Sequence, residues 1–405
     1  MSRSVIMMDM TKAGSMNGVT RCIRILANGL SQYKSFNVTW VRFVYGELET
    51  KFQPISVQLN EIRITLPSNI EQILSNKHLR YKYWETAYRK LCFLFRENPI
   101  LHLHTLNLIE FALLVKERIP CKIVTHLHCL PWKGLYNSDI TTFNALYAQY
   151  YFEKELRTPE LFIRHDYERL AYVKSDALVS VTECARKFIF RVCPNHTSNI
   201  RVIVNGIQDM AKPKKYTKSK GSIKCLFVGN AHSSKGLAYV LAAMQACLIR
   251  LPSELTIVGA LPKPLCDEII NLYPFLELKF MGQVPFNHLR LLYAQSDIGI
   301  ISSLQEQCSY VAIEMMMAGL PVITTDVDGL DELFKQGYNG IKIPVNFSPR
   351  SGLQPDIIKM ADAIVELGEN PTFRKRIGEN GRKRYLTSYS REQMISNIKD
   401  LYTSL

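Results

Sequence analysis

The chain has 405 residues, of which 47% are hydrophobic and 21% charged, and its formal net charge is +14 at pH 7. This length is too great for one ordinary hydrophobic core, so two domains are expected. The 10 cysteines are scattered without a Cys-x-x-Cys pair, which favours a reduced, cytoplasmic protein over a disulfide scaffold. No apolar run approaches the roughly 20 residues that span a bilayer.

The positive charge is unevenly distributed. Counting Lys and Arg against Asp and Glu, residues 1–210 carry +9, residues 211–220 carry +5, and residues 221–405 balance to zero. One interpretation is a solvated surface with a basic linker; another is an N-terminal domain that faces an anionic membrane surface or a phosphorylated acceptor. Nucleic acid is not the expected partner, because the basic residues are dispersed and no nucleic-acid-binding signature accompanies them.

Apolar strands alternate with amphipathic helices in the first half of the chain, which is the pattern of a doubly wound parallel sheet. The sequence predicts strands at 4–9, 38–45, 100–104, 122–128, 177–181 and 202–204. It predicts helices at 19–31, 106–118 and 146–170. These elements define an N-terminal domain over residues 1–208.

The same alternation resumes after a charged segment that contains Pro and Gly, residues 209–221, which indicates an exposed linker. The sequence then predicts strands at 224–228, 255–258, 278–280, 298–301 and 322–325, followed by a helical, charged tail at 374–405. We therefore predict a second α/β domain over 222–384 and a terminal segment over 385–405. Ligands in such sheets bind at the carboxyl ends of the strands.

Two strand-to-helix loops contain glycine. The first ends at Gly18, where glycine lets the backbone approach a ligand closely, although a plain turn explains the loop equally well. The second contains Asn230 and Lys235, and Lys235 either pairs with a diphosphate or is a solvated lysine in a turn. Neither loop matches a G-x-G-x-x-G or P-loop pattern, which argues against a dinucleotide cofactor.

Glu306 and Glu314 flank the start of a predicted helix. Ser309 is suited to the N-cap of this helix, and Gly319 and Pro321 end it. A helix N-terminus suits a phosphate, since it presents backbone N–H groups and a partial positive charge. Ionised carboxylates beside it accept hydrogen bonds from sugar hydroxyls. The run therefore predicts a sugar-nucleotide site.

Four histidines alternate in His102-Leu-His104 and His126-Leu-His128. Residues two apart share one face of a strand, and the two strands could be neighbours, which raises the possibility of a metal. No cysteine or carboxylate joins the histidines at a known ligand spacing, so a metal is not expected. A single histidine that contacts a substrate is the preferred interpretation.

The order of these motifs along the chain resembles the retaining glycosyltransferases of the GT-B fold, glycosyltransferase family 4 in particular. The motifs are the first glycine loop, His128, the Gly229 to Gly236 loop, Gly282, and Glu306-x7-Glu314 with the Gly-Leu-Pro that follows. The resemblance implies two Rossmann-like domains that face each other across a cleft. It also implies a C-terminal helix that crosses back to the first domain.

Residue roles follow from the resemblance. Glu306 would contact donor-sugar hydroxyls and Glu314 the nucleotide ribose, while Lys235 would neutralise the diphosphate. His128 would be the active-site histidine, and Gly18 would approach the donor phosphates. The backbone of three further residues, Cys308, Ser309 and Tyr310, would hold the sugar and diphosphate, with Asn230 and Gly282 also at the donor. Asn230 stands where the family usually has Arg, which removes one expected cation.

The implied activity is transfer of a sugar from a nucleotide sugar, with a UDP-sugar the commonest donor, to a glycan or lipid-linked acceptor. Retention of configuration, a role in cell-surface polysaccharide or glycoconjugate synthesis, and no need for a metal or other cofactor are also implied. We expect a cytoplasmic protein that contacts the inner face of the membrane peripherally. The alternatives are a nucleotide-sugar epimerase of similar fold and a catalytically weakened partner subunit.

Overall fold

The computed structural model describes residues 2–12, 18–45, 51–56, 59–130, 159–193, 199–210, 221–348 and 352–405. These residues form two compact units. The first unit contains the described residues up to 130, those from 159 to Asn205, and the terminal segment Arg391–Leu405, and the second contains Gly206–Ser390. The end of the chain is therefore part of the first unit. Most of the predicted linker, 211–220, lies outside the described residues.

The first unit is built on a mostly parallel sheet. Its strands are β1 (Arg3–Lys12), β2 (Phe36–Tyr45), β3 (Lys51–Ser56), β4 (Leu59–Leu66), β5 (Ile100–Leu103), β6 (Lys122–Leu127), β7 (Ala177–Ser180) and β8 (Ile200–Val202). Their spatial order is β3-β4-β2-β1-β5-β6-β7-β8, and in this sheet only the β3–β4 pair among the described strands is antiparallel. Strands β3 and β4 were not predicted from the sequence.

Helices cover this sheet. They are α1 (Gly18–Leu30), α2 (Ile70–Ser75), α3 (Lys77–Leu91), α4 (Ile109–Lys116), α5 (Pro159–Lys174) and α6 (Glu183–Val192), with 3₁₀ turns at Cys92–Leu94 and Leu106–Leu108. Residues 146–158 of the predicted helix 146–170 lie outside the described residues. An aromatic cluster of Phe43, Trp84 and Phe111 lies in the buried core on the side of α3 and α4.

The second unit is built on a parallel sheet. Its strands are β9 (Ile223–Val228), β10 (Ser253–Val258), β11 (Glu277–Gly282), β12 (Ile298–Ile301), β13 (Val322–Thr325) and β14 (Ile341–Ile343), in the order β11-β10-β9-β12-β13-β14. A separate antiparallel pair joins β15 (Val345–Ser348) to β16 (Gly352–Pro355). The predicted strands are present, with the one predicted at 202–204 lying two residues earlier as β8, so the predicted pair of parallel α/β sheets is confirmed.

The helices of the second unit alternate with its strands. They are α7 (Leu237–Cys247), α8 (Lys263–Leu272), α9 (Phe286–Gln295), α10 (Tyr310–Met317), α11 (Asp328–Leu333), α12 (Ile357–Glu369) and α13 (Pro371–Ser388), with a 3₁₀ turn at Ser233–Lys235. The tail predicted as one helical segment is two helices, α13 and α14 (Arg391–Thr403). The helices separate at Tyr389 and Ser390, where the Tyr389 carbonyl accepts a hydrogen bond from the Ile207 N–H at 3.1 Å.

Helix α14 packs against α1 within the first unit. The two helices approach closely at Gly29, where a Cβ would lie 2.0 Å from the Ile395 side chain. Tyr402, near the end of α14, is fully buried, and its ring meets Phe36 edge-on with centroids 5.8 Å apart. The predicted return of the C-terminal helix to the first domain is thus confirmed. Among the described helices, none is both long and apolar enough to cross a bilayer.

Candidate functional site

The second unit has a switch in strand order at β9. Strands β10 and β11 lie on one side of β9, and β12, β13 and β14 lie on the other. In an open parallel sheet, ligands bind outside the carboxyl ends of the strands at such a point, because the connections on its two sides run in opposite directions and leave a crevice. The segments that follow β9 and β12 are therefore the expected binding loops.

Lys235 follows β9 and Glu306 follows β12, and their side chains form an ion pair. The Lys235 Nζ lies 2.7 Å from the Glu306 Oε2, and the two side chains are 34% and 15% exposed. Lys235, a cation that can pair with a phosphate, thus lies beside Glu306, which can accept hydrogen bonds from sugar hydroxyls. Residues 71 positions apart in the sequence are brought together by the pairing of β9 with β12.

Hydrogen bonds hold the two loops together at their bases. The Ser302 Oγ lies 2.9 Å from the carbonyl oxygens of both Lys235 and Gly236. The Leu304 N–H donates to the Ser234 carbonyl at 2.8 Å. Gly236 has φ 70°, and a Cβ there would lie 2.1 Å from the Ser302 carbonyl oxygen, so only glycine fits. The backbone that carries Lys235 is therefore fixed against the loop that carries Glu306.

Helix α10 starts just after Glu306, as predicted. The Ser309 side chain accepts a hydrogen bond from the Ala312 N–H at 3.4 Å and caps the helix, and Gly319 at φ 68° follows its end. Cys308 and Tyr310, on either side of this cap, are partly exposed, whereas Ser309 is buried. The predicted helix between Ser309 and Pro321 is confirmed, and its N-terminus lies near the Glu306 loop in the sequence.

Glu314 lies inside this helix and is buried. Only 1% of its surface is exposed, and its Oε2 accepts a hydrogen bond from the Tyr293 hydroxyl at 2.6 Å. Tyr293 belongs to α9 and is itself fully buried. The carboxylate therefore makes a contact between two helices that was not predicted from the sequence. Contact of Glu314 with a ribose stays a prediction.

Asn230 and Gly282 lie at the carboxyl ends of β9 and β11, which flank β10 in the same sheet. The Asn230 Oδ1 accepts a hydrogen bond from the His232 N–H at 3.3 Å, a local turn on the exposed surface. Gly282 ends β11 with φ 63°, and its carbonyl accepts a hydrogen bond from the Gly259 N–H at 2.9 Å. Both residues are exposed, and both lie on the edge where a donor is expected.

The first unit contributes Gly18 and His128 to the predicted set. Gly18 is the first residue of α1 and is exposed, while the loop before it, residues 13–17, lies outside the described residues. His128 follows β6 directly and is partly exposed at the carboxyl end of that strand. Its Nε2 lies 2.9 Å from the His104 Nδ1.

All four histidines of the two His-Leu-His motifs form one cluster, in which three are buried and His128 is partly exposed. Parallel pairing sets His102 opposite Val124, so the alternating histidines of β5 and β6 lie on one face. Ring centroids are 4.3 Å apart for His102–His104 and for His126–His128, and 5.1 Å apart for His104–His126. A single histidine in contact with a substrate was the preferred interpretation of the sequence, and the packing of all four histidines together was not predicted.

Cys22 of α1 lies against this histidine cluster. Two sets of ligand atoms lie within 4.8 Å of one another: Cys22 with His126 and His128, and His102 with His104 and His126. No cysteine lies at a known ligand spacing from the histidines in the sequence, but the packing of α1 on the sheet brings Cys22 to them from a distant position in the chain. No local signal in the sequence identified Cys22.

Solved structures with similar folds extend over nearly the whole chain. Sucrose-phosphate synthase from Thermosynechococcus elongatus superposes with a TM-score of 0.78 at 17% identity, covering 99% of this chain and 98% of that chain. Anabaena HepE in complex with UDP-glucose gives a TM-score of 0.70 at 14% identity, with 99% and 100% covered. The fold is that of the GT-B glycosyltransferases.

Family models identify the chain more closely. The model described as Glycosyltransferase Family 4 matches residues 16–209, and the model described as Glycosyl transferases group 1 matches residues 208–384. The chain belongs to this glycosyltransferase family. An uncharacterized glycosyltransferase of Methanocaldococcus jannaschii is 28% identical over 253 residues, which are 59% of this chain and 62% of that relative. The chain spans about three fifths of the length of the first curated relatives it matches.

Proposed function

We propose that the protein transfers a sugar, with retention of configuration, from a nucleoside-diphosphate sugar to a glycan or lipid-linked acceptor. The observation that carries this proposal is the Lys235–Glu306 pair, beyond the strands that flank the switch in strand order. A transferase of this kind needs a cation at the leaving diphosphate and an acceptor for the hydroxyls of the departing sugar. The pair provides both at one point.

Similar proteins support a uridine nucleotide as donor. The HepE structures contain UDP-glucose, UDP, or UDP and glucose. They share the fold with this chain at 14 to 15% identity, which is too low to transfer a sugar specificity. We therefore propose UDP-sugars as the first donor class to test, and the identity of the transferred sugar is to be determined with the donor panel.

The proposed chemistry follows from where charge develops. Cleavage of the bond between the sugar and the diphosphate leaves negative charge on the phosphate and positive charge on the anomeric carbon. Lys235 would stabilise the phosphate, and Glu306, once its cation has turned toward the diphosphate, would hold sugar hydroxyls. A fixed cation reorganises little during reaction, and this is why such groups contribute strongly to catalysis. No step in this scheme requires a metal.

The charge distribution along the chain supports a proposal for the acceptor. The positive charge of residues 1–210 suits an acceptor that carries phosphate, such as a lipid-linked one, or an anionic membrane surface beside it. We propose peripheral membrane contact for this reason. Vesicle co-sedimentation with and without anionic lipid tests it, and equal recovery on neutral and anionic vesicles would contradict it.

A donor panel with matched variants tests the proposed activity. The purified protein is incubated with UDP-sugars, with and without glycan and lipid-linked acceptors, and products are followed by mass spectrometry and by NMR of the anomeric proton. Lys235→Met and Glu306→Gln should each lower transfer at least tenfold. Lys263→Met and Glu268→Gln, exposed in α8, are the controls and should keep activity.

The alternatives give different products. An epimerase would convert the sugar nucleotide without an acceptor, and a weakened partner subunit would bind a donor without turning it over. If Glu306→Gln transferred sugar as fast as the parent protein, the proposed donor site would be wrong.

A further inference from the structure

The histidine cluster of the first unit carries unusual chemistry for a protein core. His102, His104 and His126 are 0%, 5% and 2% exposed. Among the described residues, both ring nitrogens of His126 and the Nε2 atoms of His102 and His104 have no hydrogen-bond partner. Buried polar atoms are almost always satisfied by protein, by water or by an ion, so four unsatisfied nitrogens at one place point to a ligand.

Two features of the cluster select one ligand set. The His102 Nδ1 already lies 2.5 Å from the Tyr402 hydroxyl, and this contact anchors His102 to α14. Cys22, His126 and His128 form the set that includes a sulfur. His126 belongs to both sets and is therefore central to either.

We propose that Cys22, His126 and His128 bind a divalent transition-metal ion, with Zn²⁺ as the first choice. One thiolate with imidazole nitrogens is a ligand set that zinc prefers, whereas Mg²⁺ and Ca²⁺ need oxygen ligands. Zinc takes four ligands in a tetrahedron, and His104 or a water fills the fourth position. The Cys22 thiol loses its proton to solvent when the ion binds, so binding releases one proton per ion.

The ion would connect α1 to the end of β6, since Cys22 lies on the helix and the two histidines lie on and just after the strand. Because the unfolded chain has no preformed site, ion binding would stabilise the folded first unit. This role does not depend on sugar transfer, and failure of either proposal leaves the other standing.

Cobalt substitution tests the site directly. The full-length protein is stripped with a chelator under reducing conditions and titrated with Co²⁺. We expect one ion per chain, a thiolate-to-cobalt charge-transfer band in the near ultraviolet, displacement by Zn²⁺, and a higher melting temperature in Zn²⁺ than in chelator. Absence of the charge-transfer band in the parent protein would overturn the proposal without any variant.

Matched variants locate the ion. Cys22→Ala should lose the charge-transfer band, and His126→Leu should lose at least nine tenths of the bound metal. Cys121→Ala and His78→Gln change a thiol and an imidazole elsewhere in the first unit and should bind as the parent does. Equal binding by all four variants would mean adventitious surface binding only and would refute the site. If His126→Leu fails to fold, the band in Cys22→Ala decides the question.

Discussion

The Lys235–Glu306 ion pair allows the binding of the nucleotide and the binding of the sugar to be tested separately. If Lys235 serves the diphosphate, an incoming UDP must replace Glu306 as its partner. Glu306→Gln removes the competing carboxylate and leaves Lys235 in place. We therefore expect this variant to bind UDP as tightly as the parent protein or more tightly, although it binds a UDP-sugar more weakly.

The size of the effect follows from the exposure of the pair. The side chains are 34% and 15% exposed and 2.7 Å apart, so solvent screens the interaction and the pair is worth about 1 kcal/mol or less. Its loss should strengthen UDP binding by up to about fivefold. Lys235→Met removes a charge-assisted hydrogen bond worth about 1.5–3 kcal/mol and should weaken UDP binding by roughly 10- to 100-fold.

Isothermal titration calorimetry with UDP and with a UDP-sugar measures both effects, and the double variant closes a thermodynamic cycle. Thermal unfolding shows that each variant is folded, and Glu268→Gln in α8 controls for a surface charge change. The reasoning would be refuted if Glu306→Gln weakened UDP binding as much as Lys235→Met does. In that case Glu306 would hold the nucleotide itself, or the pair would act as one structural unit.

Three further predictions concern stability. Burial raises the pKa of the Asp9 carboxyl to about 6, so the unfolded chain loses this proton at a lower pH than the folded protein does. As pH rises from 4 to 6, the free energy of unfolding of the parent protein should therefore fall by up to about 3 kcal/mol relative to that of Asp9→Asn, as measured by urea unfolding. Tyr293→Phe removes the hydrogen bond to buried Glu314 and should cost about 1–3 kcal/mol in the same assay. Gly329→Ala would place a Cβ 1.3 Å from the Gln307 carbonyl oxygen, so the Glu306 loop must move, and both melting temperature and UDP affinity should fall.

Each of these predictions has a contrary outcome. A parallel pH dependence of the parent and Asp9→Asn would show that Asp9 titrates normally. Unchanged stability of Tyr293→Phe would show that Glu314 does not need this donor. Gly381→Ala is the control for Gly329→Ala, since its added Cβ would make ordinary contacts at 3.7 Å or more inside α13. Equal UDP affinity in both glycine variants would exclude a coupling of Gly329 to the donor loop.

The sequence by itself determined the parallel sheets and the helix between Ser309 and Gly319, and it predicted Lys235 and Glu306 as site residues. These features depend on neighbours in the chain: apolar runs, a capping side chain, and a glycine where the backbone must turn. Strands β3, β4 and β14 were not predicted, although Ile62, Ile64 and Leu66 alternate with Arg63 and Thr65 along β4.

Only the tertiary structure decided which side chains meet. Lys235 reaches Glu306 because β9 and β12 are neighbours in the sheet, and the Tyr293 hydroxyl reaches Glu314 from a different helix. Cys22 joins the histidine cluster because α1 packs on the sheet that carries the histidines. Local backbone preferences do not encode such contacts, since they depend on strand order and helix packing across many tens of residues. For this reason the sequence predicted the parts of the donor site, whereas the fold alone produced the cysteine–histidine cluster.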